Sequence, residues 1–491
     1  MSSEIESHQA LHGTEVEESS DDEATPKTRA GYRERHRHAA RARGRLWAMP
    51  PGLSPFWRWV LGAVIAIQLV LIVSIGIVGA FRLPYFSPID ESAHYTYIQQ
   101  IAEHGSLPEL GRTKTSLQSI ALAKGIYPRP AGLNDLHGLG QLSYEAFQPP
   151  LYYIAAVPAF LSTSNYRDKI YAVRLFDVVL LVASVVLIGR LARVVLGDRW
   201  LLGWSMVLAF VALPNMVVRF IFISDLALAV PLAVLFATEL WIAWERHSAR
   251  RLVGAGLVLG LCVLSELELI LLIPIFALVL IAEGWRRRSA RSWLPLLVAV
   301  AVPVAVMAPW FAYNEVTYHM LTAGPIAIAE QTAIINPHHI HHTIGELPNQ
   351  TVTTLVDPLV LPSEWARALA HQPFLMELDR LLAVLIVPAG LVLIAGLGRR
   401  LWSVRTAILG LPFVLNIIEL WYIRYGEQWA IDVRYTFTTV PILLVLVAVA
   451  ADVLRPRFLP VLVTAGATAS TVAIWGFLVF SYTGPYALRG V

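Results

Sequence analysis

Long apolar segments recur along most of this chain, and they restrict its fold more than any other feature. The chain has 491 residues, of which 56% are hydrophobic and only 15% are charged. The first apolar segment, about 59–81, follows a polar stretch and is long enough to cross a bilayer, so it is predicted to be a membrane span rather than a cleavable signal peptide. Within lipid, a helix satisfies its backbone hydrogen bonds inside its own segment. The sequence therefore predicts an all-α, polytopic membrane bundle of about 11 to 13 spans.

The distribution of arginine predicts how the bundle is oriented. Residues 27–46 are basic and precede the first span, which places the N-terminus in the cytoplasm by the positive-inside rule. Alternate connections farther along the chain are also rich in arginine, and this pattern favours a C-terminus outside the cytoplasm. These connections contain Arg190, Arg193, Arg199, Arg246, Arg250, Arg251, Arg286, Arg287, Arg288, Arg291, Arg399, Arg400, Arg405, Arg455 and Arg457.

Composition divides the chain into a polar tail, a membrane domain and a short end. Residues 1–54 lack apolar periodicity and are predicted to form a disordered cytoplasmic tail. Residues 55–484 are predicted to form the membrane domain, and 485–491 a short extracytoplasmic tail. Two long connections, about 82–170 and 312–379, are predicted on the extracytoplasmic face. Long loops held by a rigid scaffold are a common location for binding and catalysis.

A short apolar segment, 149–162, lies inside the first of these connections. It begins with Pro149 and Pro150 and also contains Pro158. Its length is typical of an interfacial or re-entrant helix, and this is the structure we predict. One more full span, with a shifted topology, is the alternative.

Charge balance and cysteine content exclude several other classes of protein. The formal net charge of +3 is too small to indicate nucleic-acid binding. Cys262 is the single cysteine, which excludes an intrachain disulfide framework and a multi-cysteine metal site. The sequence contains no glycine-rich phosphate loop of the kind that would indicate a nucleotide-sugar site.

An acidic pair, Asp90 and Glu91, directly follows the first span. Ser87 as N-cap, Pro88 as the first helical residue and Asp90 three residues after the cap would form a capping box. Such a box leaves Glu91 unexplained, and it leaves His94 one helical turn from Asp90 on the same face. Ionisable groups beside a span are costly unless they are used or paired. Asp90 and Glu91 are therefore predicted to be catalytic carboxylates, and a capping role does not exclude this.

Short motifs follow one another in a defined order along residues 85–320. They are Pro88-x-Asp90-Glu91-x-x-His94, Gly105-x-Leu107-Pro108, Gln148-Pro149-Pro150-Leu151-Tyr152-Tyr153, Ala172-Val173-Arg174-Leu175, Ile223-Ser224-Asp225 and Pro309-Trp310-x-x-Tyr313-Asn314. Together they resemble the GT-C superfamily of membrane glycosyltransferases. That group includes the polyprenyl-phosphate-dependent protein mannosyltransferases and the lipid A aminoarabinose transferases.

The resemblance implies a GT-C-like fold in which interfacial helices cover a cavity on the outer face. It implies transfer of a sugar from a polyprenyl-phosphate-linked donor to a hydroxyl of an envelope glycan, lipid or protein. An inverting reaction is expected, in which Asp90, with Glu91 as substitute or partner, takes the acceptor proton as general base. The substrate contacts implied by the motifs are His94, Pro150, Tyr152, Tyr153, Asp225 and Asn314.

Arginines on the outer face are the candidates for holding the donor phosphate. Arg174 opens the second span, and Arg434, followed by Tyr435, opens a later one. A guanidinium fork can bind two phosphate oxygens at once. The alternatives are an arginine that snorkels at a span end, or an ion pair such as Arg434 with Asp432.

Two sets of residues could hold a divalent metal ion. The first set is Asp90, Glu91 and His94, beside the first span. The second set is a histidine-rich tract in the second long connection, because such tracts can bind metals. A solvated loop is the favoured interpretation of the tract. The tract consists of His338, His339, His341 and His342.

The chain departs from the GT-C pattern at Ser265-Glu266, where many members have a Thr-Lys or Ser-Lys pair. If that lysine binds donor phosphate, another cation has to replace it in this chain. Glu266 could instead hold an acceptor or a metal ion. An exposed turn carrying Glu266 and Glu268 is the interpretation that the sequence favours.

A transporter or lipid flippase without glycosyl transfer is the alternative function. That class predicts charged residues near the bilayer midplane and paired broken helices in two related halves. This chain places its ionisable residues towards one face and has no detectable repeat, so the sequence favours the glycosyltransferase.

Overall fold

The computed structural model describes part of the chain, which includes most of its apolar segments. The described residues are 55–83, 85–86, 90–123, 144–197, 199–211, 213–286, 293–327, 343–346, 390–422 and 433–454. The predictions for the tails 1–54 and 485–491, for the histidine tract and for most of the connection 312–379 lie outside these residues.

The described residues form helices joined by short turns, and no β-strand occurs among them. Short 3₁₀ helices add Tyr144–Phe147, Leu267–Leu272, Ile344–Glu346, Gly398–Trp402 and Val433–Thr438. The α-helices are α1 (Pro55–Arg82), α2 (Glu91–His104), α3 (Leu117–Ala123), α4 (Leu151–Leu161), α5 (Tyr166–Leu196), α6 (Trp200–Val211), α7 (Pro214–Arg219), α8 (Leu226–Arg246), α9 (Ala249–Ser265), α10 (Ile273–Arg286), α11 (Leu294–Tyr318), α12 (Val404–Trp421) and α13 (Val440–Leu454).

Five helical segments of the described chain are long and apolar enough to cross a membrane. This finding confirms the predicted all-α, polytopic helical bundle, whereas the number of 11 to 13 spans stays a prediction. The five segments are Tyr166–Leu196, Leu226–Arg246, Leu267–Arg286, Leu294–Tyr318 and Val404–Trp421.

Helix α8 lies at the centre of the bundle and packs against α5 and α9. Its first turn is capped by Asp225, whose side chain accepts a hydrogen bond from the backbone amide of Leu226. Helix α9 packs closely on α11 at Gly256. A Cβ atom added there would lie 2.5 Å from the backbone oxygen of Ala299. Small residues at such a contact let two membrane helices approach each other closely.

Ion pairs join several helices at the end of the bundle that is opposite Asp225. Glu239 of α8 accepts hydrogen bonds from Arg190 of α5 and Arg251 of α9, at 2.8 and 2.6 Å. Glu245, farther along α8, pairs with Arg405 of α12. Arginines that the sequence assigns to the cytoplasmic side therefore gather at one end of the bundle. The other end of α8, about 30 Å away at 1.5 Å per residue, begins at Asp225.

Helix α4 is the structure of the short apolar segment 149–162. Its 11 residues extend over about 17 Å, whereas the hydrocarbon core of a bilayer is about 30 Å thick. The helix packs against α2 and α5. Helix α4 is too short to cross by itself, which agrees with the predicted interfacial or re-entrant helix.

Candidate active site

Asp90 occupies the turn that leads into helix α2. The helix begins at Glu91, so Asp90 is its N-cap residue, and the Asp90 side chain makes no capping hydrogen bond. This differs from the predicted capping box, whose Ser87 and Pro88 lie outside the described residues. The backbone of Asp90 has φ 81°, in the left-handed region that costs an L-residue about 1–3 kcal/mol. Strained residues of this kind cluster at functional sites.

Glu91 and Arg174 form a buried ion pair that joins α2 to α5. The guanidinium Nε and Nη2 atoms each lie 2.7 Å from a carboxylate oxygen of Glu91. Nη1 donates to the backbone oxygens of Ala80 and Leu83, at 3.2 and 2.9 Å. The side chain of Arg174 is 0% exposed and that of Glu91 is 1% exposed. Glu91, predicted as the second catalytic carboxylate, and Arg174, predicted as a phosphate ligand, thus bind each other.

His94, Tyr153 and Asp225 form a hydrogen-bonded group between α2, α4 and the start of α8. The hydroxyl of Tyr153 lies 2.9 Å from His94 Nδ1 and donates to Asp225 Oδ2 at 3.3 Å. The ring of Tyr153 stacks on that of Tyr97, with 3.7 Å between ring centroids. Burial raises the pKa of the Tyr153 hydroxyl, and the carboxylates of Asp225 and Glu145 add to this. Tyr153 therefore keeps its proton and can donate it.

The other nitrogen of His94 faces two carboxylates. Nε2 lies 3.9 Å from Asp225 Oδ1 and 4.0 Å from Glu145 Oε1. If Tyr153 donates to Asp225, its oxygen accepts the Nδ1 proton of His94, and Nε2 then presents a lone pair. An imidazole lone pair and two carboxylate oxygens are metal ligands.

His94, Glu145 and Asp225 are the one group of three or more His, Cys or carboxylate ligands that the described residues bring close enough to hold a metal ion. Their ligand atoms all lie within 4.8 Å of one another, and all three residues are buried. Sequence reasoning selected His94 and Asp225 but missed Glu145. Asp90 and Glu91, predicted as ligands with His94, are not in this group.

Glu266 is buried, so the prediction of an exposed turn is wrong for this residue. It lies between α9 and the 3₁₀ helix Leu267–Leu272 and is 1% exposed. Its Oε1 atom accepts a hydrogen bond from Gln148 Nε2 at 3.4 Å. Burial raises the pKa of the Glu266 carboxyl well above its usual range, and the neighbouring Asp225 and Glu268 carboxylates raise it further. The fold brings Glu266 into the same group of acids as Asp225.

Tyr152, next to Tyr153 in the sequence, joins helix α4 to helix α5. Its hydroxyl donates to the two carboxylate oxygens of Asp177 on α5, at 3.0 and 2.9 Å, and both residues are fully buried. Tyr152 is thus a positioning residue next to Tyr153 rather than a direct contact of the His94 group.

Replacing Tyr152 by Phe is expected to lower the free energy of unfolding by about 1–3 kcal/mol, because it leaves the buried Asp177 carboxylate without this hydrogen bond. Thermal unfolding of the detergent-solubilised protein measures the loss. The exposed-residue variant Tyr422→Phe is the matched control. Equal melting temperatures for the two variants would contradict the anchoring role.

The remaining predicted site residues have other positions. Pro150 is the N-cap residue of α4. The side chain of Asn314 donates to the backbone oxygen of Leu321 at 3.3 Å, which closes the end of α11. Arg434 and Tyr435 lie in the 3₁₀ helix Val433–Thr438, and their side chains lie outside the described part of the chain.

Comparison with known families supports the resemblance found in the sequence. Residues 149–313 match the family described as dolichyl-phosphate-mannose-protein mannosyltransferase. The match includes Tyr153 and Asp225, whereas Asp90, His94 and Glu145 precede it. It confirms the resemblance to the GT-C membrane glycosyltransferases. No match was found among curated protein sequences.

Three solved structures align with most of this chain at low sequence identity. ArnT from Cupriavidus metallidurans, bound to undecaprenyl phosphate, is 16% identical with a TM-score of 0.46, over 81% of this chain and 61% of ArnT. The oligosaccharyltransferase AglB from Archaeoglobus fulgidus, in complex with an inhibitory peptide and a dolichol-phosphate, is 14% identical with a TM-score of 0.46, over 88% of this chain and 57% of AglB. An A. fulgidus oligosaccharyltransferase in complex with Zn and sulfate is 15% identical with a TM-score of 0.45, over 86% of this chain and 53% of that protein. The chain thus spans less than two thirds of the length of each.

Proposed function

We propose that this protein transfers a sugar from a polyprenyl-phosphate-linked donor to a hydroxyl of an envelope acceptor, on the extracytoplasmic face of the membrane. The observation that carries the proposal is the match of residues 149–313 to the mannosyltransferase family. That segment supplies Tyr153 and Asp225, which the fold joins to His94 beside Asp90. The site thus combines the matched segment with the acidic turn that precedes it.

Asp90 is the proposed general base. Its carboxylate removes the proton of the acceptor hydroxyl as that oxygen attacks the anomeric carbon of the donor. The bond between the anomeric carbon and the phosphate oxygen breaks, and the lipid phosphate leaves with the bonding electrons. One displacement of this kind inverts the configuration at the anomeric carbon. Asp90 is suited to the role because it is a buried carboxylate in the turn that leads into α2, one helical turn before His94.

Glu91 is assigned a positioning role in this mechanism. Its two oxygens are occupied by Arg174, and Oε1 also accepts from the backbone amide of Ile223 at 3.2 Å. These contacts fix the start of α2 against α5 and against the turn before α8. Asp90 and His94 are held relative to Asp225 in this way.

A divalent metal ion fits the residues His94, Glu145 and Asp225, which would hold it. When bound, such an ion supplies positive charge that offsets the charge developing on the phosphate leaving group. The fit rests on the lone pair of His94 Nε2 and the two carboxylates that face it. The hydrogen bond that His94 Nδ1 donates to Tyr153 orients the imidazole ring, as the second hydrogen bond of a metal-binding histidine commonly does.

Arg434 and Tyr435 are the proposed protein contacts of the donor phosphate. The guanidinium of Arg174 already donates to Glu91 and to two backbone oxygens, so it is not available to bind two oxygens of a phosphate. The 3₁₀ helix Val433–Thr438 packs against α8 and α12. We assign to Arg434 the role of the cation that the Ser265-Glu266 departure removes.

The proposal is tested with purified protein in lipid vesicles and a panel of polyprenyl-phosphate-linked and nucleotide-linked sugars. Octyl glycosides serve as hydroxyl acceptors, and release of free sugar reports transfer to water. Transfer is expected from at least one lipid-linked sugar and from no nucleotide sugar. Chelation of divalent ions is expected to lower the rate about tenfold or more, and added Mn²⁺ to restore it.

Asp225→Asn protein serves as the companion variant in this assay, with Asp168→Asn, an exposed residue at the start of α5, as its control. Asp225→Asn is expected to respond weakly to added Mn²⁺, whereas Asp168→Asn responds like the unmodified protein. Monodisperse, folded protein that releases sugar from no lipid-linked donor would contradict the proposed function.

A further inference from the structure

The short 3₁₀ helix Gly398–Trp402 lies at the end of the bundle that is opposite Asp225. It directly precedes α12, whose Arg405 pairs with Glu245 near the last residue of α8. No residue of this 3₁₀ helix is buried. Arg399 and Arg400 are exposed, and Trp402 is 93% exposed. These three side chains, here called the Arg-Trp surface, combine adjacent positive charges with a large aromatic ring.

Contacts on either side hold the Arg-Trp surface in one position. Leu397, just before the 3₁₀ helix, is 5% exposed, and Leu401 within it packs against the main apolar core. Just after the helix, the side chain of Ser403 accepts a hydrogen bond from the backbone amide of Thr406 and so caps α12. The hydroxyl of Thr406 also donates to the backbone oxygen of Arg400 at 2.8 Å. The surface is therefore built on a fixed backbone.

The positive charge of the Arg-Trp surface is not neutralised by acids in the described ranges. Glu245 and Glu283, near the ends of α8 and α10, are each paired with a different arginine. Among the residues that the structure describes, no carboxylate forms an ion pair with Arg399 or Arg400. A guanidinium group binds two oxygens of a phosphate at once, so two adjacent arginines favour an anionic phosphate ligand.

The Arg-Trp surface also lies where a lipid headgroup would be. Helix α12, which begins just after Trp402, is long and apolar enough to span a membrane. The helical residues 390–395 precede the surface, and there Leu391 and Val392 are 53% and 69% exposed. Val392 is about two helical turns, or about 10 Å, before Arg399. An acyl chain lying along these apolar side chains would place its headgroup beside the arginines.

The aromatic ring distinguishes a lipid from a soluble anion. A free phosphate would satisfy the arginines but would leave the indole of Trp402 and the side chain of Val392 uncovered. Tryptophan is enriched at membrane interfaces, because its ring is apolar and its N–H group can bond to headgroups or water. Basic groups and a tryptophan on one surface, beside exposed apolar residues, thus favour a phospholipid.

We propose that Arg399, Arg400 and Trp402 form a binding site for one anionic phospholipid, on the face of the membrane opposite the candidate active site. The two guanidinium groups bind the headgroup phosphate, and the indole lies beside the glycerol backbone. A lipid bound in this way ties the start of α12 to the membrane surface. The site is at the other end of the bundle from Asp225, so the proposal does not depend on sugar transfer.

The site is tested by titrating the detergent-solubilised full chain with dioleoyl phosphatidylglycerol and with dioleoyl phosphatidylcholine. The two lipids have the same acyl chains and differ in the net charge of the headgroup. Native mass spectrometry of the protein–lipid complexes measures both affinities. Phosphatidylglycerol is expected to bind about tenfold or more tightly, because each arginine near a headgroup adds to the attraction. Glycerol 1-phosphate, which has no acyl chain, is expected not to displace it.

The double variant Arg399→Gln with Arg400→Gln is expected to abolish the preference for phosphatidylglycerol. Trp402→Ala is expected to weaken the binding of both lipids and to leave the preference. Arg250→Gln, at an exposed arginine in the first turn of α9 and at the same end of the bundle, is the matched control and is expected to retain it. These positions are exposed, so an unchanged thermal unfolding temperature is expected for each variant and shows that it is folded.

Equal affinities of the two lipids for the unmodified protein would overturn the proposal. So would a preference that survives in the folded double variant. A preference that Arg250→Gln removes as completely would show attraction to the whole basic end rather than a site, and displacement by glycerol 1-phosphate would show a site for soluble anions. Either result would overturn the proposal as well.

Discussion

Asp90→Asn is expected to lower the rate of sugar transfer by about 10²–10⁴-fold while leaving the protein folded. The amide keeps the size of the carboxylate but cannot accept the acceptor proton, and loss of a general base has effects of this size. Folding is expected to be retained because asparagine is a favourable N-cap residue and tolerates the left-handed backbone of this position. Initial rates in vesicles, at saturating donor, measure the effect.

The control for this variant is Asp168→Asn, an exposed acid in the first turn of α5. It tests whether an Asp-to-Asn change on the same face has a general effect. A folded Asp90→Asn protein with an unchanged rate would remove Asp90 from the mechanism, and the general base would then have to come from Glu145 or Asp225.

Glu91→Gln is expected to lower the free energy of unfolding by about 3–5 kcal/mol, because it leaves the Arg174 guanidinium as an uncompensated buried charge. Arg174 is 0% exposed, so solvent cannot replace the lost carboxylate. Denaturant unfolding in mixed micelles, followed by tryptophan fluorescence, measures the change. The transfer rate of the Glu91→Gln protein is expected to fall in proportion to its folded fraction, as a positioning role requires.

The double variant Glu91→Leu with Arg174→Met separates a positioning role from a catalytic one. Removing both charges is expected to cost less than the sum of the two single changes, because neither charge is left buried alone. Orphaned backbone oxygens at Ala80 and Leu83 keep part of the cost. A fully folded Glu91→Gln protein without activity would instead support the catalytic role predicted from the sequence. Glu109→Gln, at a half-buried carboxylate that pairs with Arg112, is the control for the single change.

Much of the fold could be predicted because membrane helices are encoded locally. Apolar length alone predicted spans at about 171–195 and 292–311, and these overlap the helices Tyr166–Leu196 and Leu294–Tyr318. The arginine pattern identified one end of the bundle, where Arg190 and Arg251 meet on Glu239. The start of α2 was harder to predict, since Ser87-Pro88 has a strong local capping preference whereas the helix begins at Glu91.

The site was predicted in part, because its residues come from segments far apart in the chain. Motif order identified His94, Tyr153 and Asp225, and the fold brings them within hydrogen-bonding distance. Glu145 was missed because nothing in its local sequence shows that the fold places it opposite His94. The partnership of Glu91 with Arg174, across 83 positions of the chain, was likewise not encoded in either motif.

Burial of Glu266 was mispredicted for a related reason. A pair of glutamates between two apolar segments is usually an exposed turn, because charged groups are costly to bury. Here Gln148, from the connection before α4, covers the turn. Packing of that connection onto the bundle helps to bury the carboxylate, and local sequence does not record such packing.

Asp225 serves two unrelated purposes, and this limits how the position can vary. Its Oδ1 atom accepts the first amide of α8, while its carboxylate also faces His94 and Tyr153. Serine or asparagine could begin the helix equally well, but neither carries the negative charge. Folding of α8 would therefore accept several residues at position 225, whereas the proposed chemistry accepts only a carboxylate. A substitution such as Asp225→Asn could then leave the amount of folded protein unchanged while removing activity.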